Sequence, residues 1–83
     1  MEASVSVKFF GAAADLAGTR EVELPVKEGT TLGDLWSTIA ERYPALSPMR
    51  DSLAYAINSE YARWTDTVTP GVEVAVLPPV SGG

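Results

Sequence analysis

Polar and apolar positions alternate through residues 4–10, with Val5, Val7 and Phe9 on one parity and Ser4, Ser6, Lys8 and Phe10 on the other. A period of two presses one set of side chains against a core and leaves the other in solvent, so the segment reads as a half-buried strand. Residues 20–26 repeat the pattern with Val22, Leu24 and Val26 inward. Pro25 falls on the outward parity and has no N–H to offer a neighbour, which places this strand at a sheet edge. The break from Gly11 to Gly18 is short, and its Ala-rich middle has room for one helical turn. Two such strands joined by a modest loop predict a hairpin.

The period then changes. Leu32, Leu35, Trp36, Ile39, Ala40 and Tyr43 recur at helical spacing and form one apolar stripe. Thr31 precedes them as an N-cap, with Asp34 three residues on as a capping-box partner, and Pro44 ends the run. Residues 48–52 read as a turn or short 3₁₀ segment. Residues 53–57 form a third strand, Asn58-Ser59 its turn, and residues 61–64 a short fourth strand. After the Thr69-Pro70-Gly71 turn, residues 72–77 make a strong last strand with Val72, Val74 and Val76 inward. The core is expected to include Val7, Phe9, Leu24, Leu35, Trp36, Ile39, Val74 and Val76. The order of strand, strand, helix, strand, short strand, strand predicts an α+β fold of the ubiquitin-like β-grasp kind. In it a mixed four- to five-stranded sheet packs on one main helix, and the first and last strands are parallel neighbours. Residues 1–77 form this domain and residues 78–83 an extended tail.

Composition narrows the chemistry. The 83 residues include no Cys and no His. Disulfides, thiolate–zinc sites and thiol or imidazole catalysis are excluded, and no acidic cluster with loop spacing suggests another metal. Asp15, Asp34, Asp51 and Asp66 are scattered over turns and helix starts, where Asp usually caps. Ser and Thr have no base to activate them, and no phosphate-binding glycine motif is present. A net charge of −5 argues against nucleic acid and anionic membranes and is compatible with a basic protein partner. No apolar run approaches the ~20 residues of a membrane span. No basic and apolar leader opens the chain, so a cytoplasmic location is expected.

One segment departs from fold grammar: Leu77-Pro78-Pro79-Val80-Ser81-Gly82-Gly83. Pro-Pro stops a ladder and favours a stiff, extended course. Only small or modest side chains follow, so the tail suits a narrow channel in a partner, where backbone without a Cβ approaches closely. Chemistry then falls to the carboxylate of Gly83. A carboxylate becomes electrophilic once an ATP-consuming enzyme converts it to an acyl-adenylate, which passes to sulfur as a thiocarboxylate or to an amine as an isopeptide. A terminal Gly pair alone arises in roughly 0.5% of chains. Joined through Pro-Pro to the last strand of a β-grasp pattern, it is a much sharper signal.

The chain resembles the small subunits of molybdopterin synthase across nearly its whole length. The matching pieces are Val7-Lys8-Phe9-Phe10-Gly11, the Ala-Gly-Thr stretch before the second strand, Thr31-Leu32-Gly33-Asp34-Leu35, Ala56-Ile57-Asn58, and the run from Pro70 to Gly83. The resemblance implies a sulfur carrier that acts as the small subunit of a transferase, with the catalytic side chains on the large subunit. It implies adenylation of Gly83 by a dedicated E1-like activating enzyme that consumes ATP, then conversion to a thiocarboxylate. Insertion of Pro78, Pro79, Val80, Ser81 and Gly82 into the large subunit would follow, and sulfur donation to cyclic pyranopterin monophosphate. It implies no permanently bound cofactor or metal, a monomer in isolation and a heterotetramer with the large subunit. Many members carry an Arg-Glu pair after the first strand, where this chain has Gly11-Ala12-Ala13-Ala14-Asp15-Leu16.

Strand parity adds a separate expectation. Phe10 and Leu77 lie on the solvent side of neighbouring strands near the root of the tail, with Tyr61 joining them, and together they suit a docking patch. The alternatives are a carrier for thiazole synthesis or tRNA thiolation, and a ubiquitin-like modifier attached to lysines. A pure interaction module would not need the Gly-Gly end.

Overall fold

Alternation along the first segment becomes β1 (Ser4–Phe9), in which Val5, Val7 and Phe9 are at most 2% exposed. The computed structural model describes residues 3–78. The elements that follow β1 are α1 (Ala12–Ala17), β2 (Glu21–Pro25), α2 (Leu32–Arg42), a 3₁₀ segment (Pro44–Met49), β3 (Ala54–Ile57), β4 (Glu60–Tyr61) and β5 (Glu73–Leu77). The strands form one sheet in the order β2-β1-β5-β3-β4. β1 pairs antiparallel with β2, from Ser4 opposite Pro25 to Lys8 opposite Glu21. It pairs parallel with β5, from Ser6 opposite Glu73 to Phe9 opposite Val76. β5 continues antiparallel to β3, with Ala54 opposite Leu77 and Ile57 opposite Val74. β2 lies at the edge, and Pro25 is exposed there. This is the mixed α+β sheet grasping one long helix that the element order implies.

The helix is built as its sequence suggests. Thr31 Oγ1 accepts from the Asp34 N–H at 3.1 Å, and Asp34 Oδ2 accepts from the Thr31 N–H at 3.1 Å, closing a full capping box. Leu32, Leu35, Trp36 and Ile39 face the sheet and join Val5, Val7, Phe9, Leu24, Val74 and Val76 in one buried cluster. Every residue of the expected core is buried. Edge-to-face rings add directional contacts: Trp36 to Tyr55 at 5.3 Å between centroids, and Phe9 to Tyr43 at 5.4 Å.

The remaining differences are local. The Ala-rich break folds into six helical residues because Ala13 finds a fully buried place in the core. The 3₁₀ segment begins at Pro44 rather than near Pro48, since a proline with fixed φ also starts a helical turn, and Leu46 is drawn fully inside. β4 is only Glu60–Tyr61. Beyond it the chain turns under α2, where Gly33 N–H donates to Trp64 O at 3.0 Å and Leu32 N–H to Asp66 O at 2.8 Å. Those carbonyls satisfy helix N–H groups that no helical partner reaches. They draw the segment out of the sheet and bury Val68 completely.

Candidate functional site

The parallel pairing of β1 with β5 brings the ends of both strands to the same side of the molecule. Phe10 N–H donates to Val76 O at 3.0 Å, so the pairing runs one residue past β1 and holds Phe10 beside the end of β5. Phe10 is 44% exposed and Tyr61 73%. Leu77 is partly buried. Phe10, Leu77 and Tyr61 line one groove of about 300 Å³ on the face of the sheet opposite α2. Its floor is Ala56 and Ala75, which face each other across the β3–β5 pairing, and Ser59 and Glu73 complete its wall.

The groove exists because outward positions at the sheet centre are small. Ala56 stands between Ala75 on β5 and Tyr61 on β4, and it is only 5% exposed although it lies outside the main core cluster. A larger side chain there would fill the recess. Parity had placed Phe10 and Leu77 together. The contribution of Ala56 was missed, although the signal was present: the outward parity of β3 reads Ala54, Ala56.

The surroundings are charged but internally balanced on one side. Lys8, one row from the groove, pairs with Glu73 at 2.7 Å. The hydrogen bond and charge of Glu73 raise the Lys8 pKa above 10.5, Glu21 adding to the effect against a small opposing desolvation. A larger recess of about 510 Å³ lies on the other side of Phe10, and its walls include Lys8, Arg20, Asp15 and Glu21. Two cations against two anions give it no net charge for an ionic ligand. The groove differs from it in having an apolar floor and aromatic walls. Among the described residues, no group of three or more Asp or Glu is gathered as a metal site would need. No helix there is long and apolar enough to cross a membrane.

The described chain ends beside this groove. Pro78 is exposed and directly follows Leu77. Pro79, Val80, Ser81, Gly82 and Gly83, the other residues of the expected tail, lie outside the described residues.

Comparison with known proteins matches residues 7–83 to the ThiS family. The chain is 34% identical to the human molybdopterin synthase sulfur carrier subunit, covering 95% of this chain and 93% of that one. It is 39% identical to the corresponding protein of Caenorhabditis elegans, covering 96% and 98% respectively. Among solved structures, SAMP1 of Haloferax volcanii superposes with a TM-score of 0.86 at 32% identity, covering 96% of this chain and 99% of that one. With near-complete coverage on both sides and a fold that agrees, the chain belongs to the ThiS family, in the company of the molybdopterin synthase sulfur carrier subunits.

Proposed function

We propose that this chain carries sulfur on the carboxylate of Gly83 as the small subunit of molybdopterin synthase. The supporting observation is the groove of Phe10, Tyr61 and Leu77 at the root of the residue 78–83 segment. A carrier without acid, base or nucleophile of its own needs a surface that holds a partner while its terminus is worked on. The names of its relatives support the same reading.

In this function an activating enzyme joins the Gly83 carboxylate to the AMP portion of ATP, releasing pyrophosphate. A sulfur donor displaces AMP and leaves a thiocarboxylate. Residues 78–83 then enter the large subunit, which supplies the catalytic side chains. The sulfur passes to cyclic pyranopterin monophosphate, and water restores the carboxylate. The chain's own part is to dock, to present its terminus and to bring no reactive side chain near it. A monomer in isolation and a heterotetramer with the large subunit belong to this reading, as does a cytoplasmic location.

Intact mass after incubation with ATP, activating enzyme and sulfur donor tests it. The full chain should exchange one oxygen for one sulfur, and a chain lacking Gly83 should not. Sulfur on the deletion variant, or full activity from it with the large subunit, would sink the carrier function.

The similarity to SAMP1, a small archaeal modifier protein of Haloferax volcanii, favours a second reading. The same adenylate would then pass to a lysine amine and form an isopeptide. A covalent adduct to other proteins that forms without a sulfur donor and resists thiols would favour it over the carrier function.

A further inference from the structure

The turn between β1 and α1 holds the residue on which the tail begins. Gly11 has φ 55° and ψ −130°. It is the first central residue of a turn closed by the Ala13 N–H donating to Phe10 O at 3.1 Å. That is the glycine position of a type II′ turn. The turn is anchored on both sides. Phe10 N–H donates to Val76 O, and Gly11 O accepts from the N–H groups of Ala14 and Asp15 at 3.1 and 3.3 Å. A Cβ on Gly11 would lie 3.2 Å from Pro78 Cγ and 3.5 Å from Pro78 Cβ. The ring of the first residue after β5 therefore rests so close that a Cβ on residue 11 would push it aside by a few tenths of an ångström. Gly18, Gly29 and Gly71 also have positive φ, yet nothing lies within 4 Å of the corresponding point on any of them. Only at Gly11 does a described glycine serve both the turn and a neighbour.

We propose that Gly11 is a positioning residue for sulfur transfer, a role that rests on the carrier function proposed above. The bare Cα of Gly11 seats Pro78, whose ring already fixes its own φ. Together they set where residues 79–83 start relative to the Phe10–Leu77 end of the groove. Misplacing a reacting group by about 1 Å costs up to about a hundredfold in rate, so a starting point shifted by a few tenths of an ångström is felt at the terminus as a smaller loss.

The experiment compares Gly11→Ala with Gly18→Ala in full-length chains, each loaded with sulfur and mixed with the large subunit. Both put a Cβ at positive φ, but only the first displaces Pro78. Gly11→Ala should transfer sulfur about tenfold more slowly at saturating large subunit. Its affinity for that subunit should be unchanged, because the groove is intact. Gly18→Ala should transfer like wild type. Pro78→Gly empties the seat without touching the turn and keeps the test alive if Gly11→Ala folds poorly. It should slow transfer similarly, and the double variant should be no slower than the slower single one. Equal rates for Gly11→Ala and Gly18→Ala, or losses that multiply in the double variant, would overturn the role. Contacts between Gly11 and Pro78 protons by NMR, present in wild type and lost in Gly11→Ala, test the seat separately; their absence from wild type would also overturn it. A wild-type chain that takes up no sulfur while showing those contacts would refute the carrier function, and with it the role in transfer, but not the seat.

Discussion

The inner and outer faces of the sheet are made by alternate residues of the same strands, and they are finished in opposite ways. Inward, β1 and β5 present Val5, Val7, Phe9, Val74 and Val76, none more than 2% exposed. Outward, the same strands present Ser6, Lys8, Ala75 and Leu77, and β3 adds Ala56. The inner face is filled by α2. The outer face is floored with small residues and walled by Phe10 and Tyr61, large aromatic side chains left 44% and 73% in solvent. A folded domain gains little by exposing such rings, whereas a docking partner gains by covering them. The inner face therefore governs whether the domain exists, and the outer face what it can meet.

The largest test of that division is Trp36→Ala. Trp36 is 5% exposed and touches the rings of both Tyr55 and Trp64. Its removal should cost about 3–5 kcal/mol, at roughly 4–8 °C of melting temperature per kcal/mol. Calorimetry showing a nearly unchanged melt would break the assignment of the inner face.

An intermediate effect is expected from alkali. Burial pushes the Tyr55 phenol up to about 12, and its O–H donates to Arg50 O at 2.9 Å. An acid whose pKa is raised on folding holds its proton longer in the folded chain, so stability falls once pH passes the unfolded value near 10. The loss should reach about 2–3 kcal/mol by pH 12. On the outer face, Lys8 is also raised on folding. Its contribution is complete below 10.5 and lost above its folded value, in the same direction, but exposure to solvent keeps it minor. Tyr55→Phe should flatten the fall in urea melts above pH 10, and Lys8→Met should leave it nearly as steep. The reverse outcome would mean that the outer face, and not the inner, senses alkali.

The smallest effect on stability belongs to the groove. Phe10→Asp and Leu77→Asp should leave the circular dichroism spectrum and melt close to wild type, while weakening binding to the large subunit by about thirtyfold or more. Unfolding of Phe10→Asp would show that the two faces are not separable.

Much of this division could be read before any coordinates. Period two separated Val7 from Lys8 and Val76 from Leu77, and it brought Phe10 and Leu77 to one surface once β1 and β5 were taken as neighbours. The recess itself was harder to see. The small outward side chain of Ala56 is legible on its own strand, but its burial comes from β4 and β5 lying on either side of it. Residues 62–64, expected to continue the fourth strand, were misjudged for a similar reason. Helix N–H groups without intrahelical partners draw the Trp64 and Asp66 carbonyls under α2 instead.

By itself, the sequence determined what depends on near neighbours: strand parity, the apolar stripe of α2 and the Thr31–Asp34 cap, together with the absence of Cys and His. These follow from backbone periodicity and short-range hydrogen bonds, which are the same in any context. Tertiary structure alone decided the depth of the groove, the complete burial of Ala13, Leu46 and Val68, and the contact of Gly11 with Pro78. Gly11 and Pro78 are separated by nearly the whole chain, and each has a sufficient local explanation as a turn glycine and a strand-ending proline. Only the parallel pairing of the first strand with the last places one where the other leaves a space.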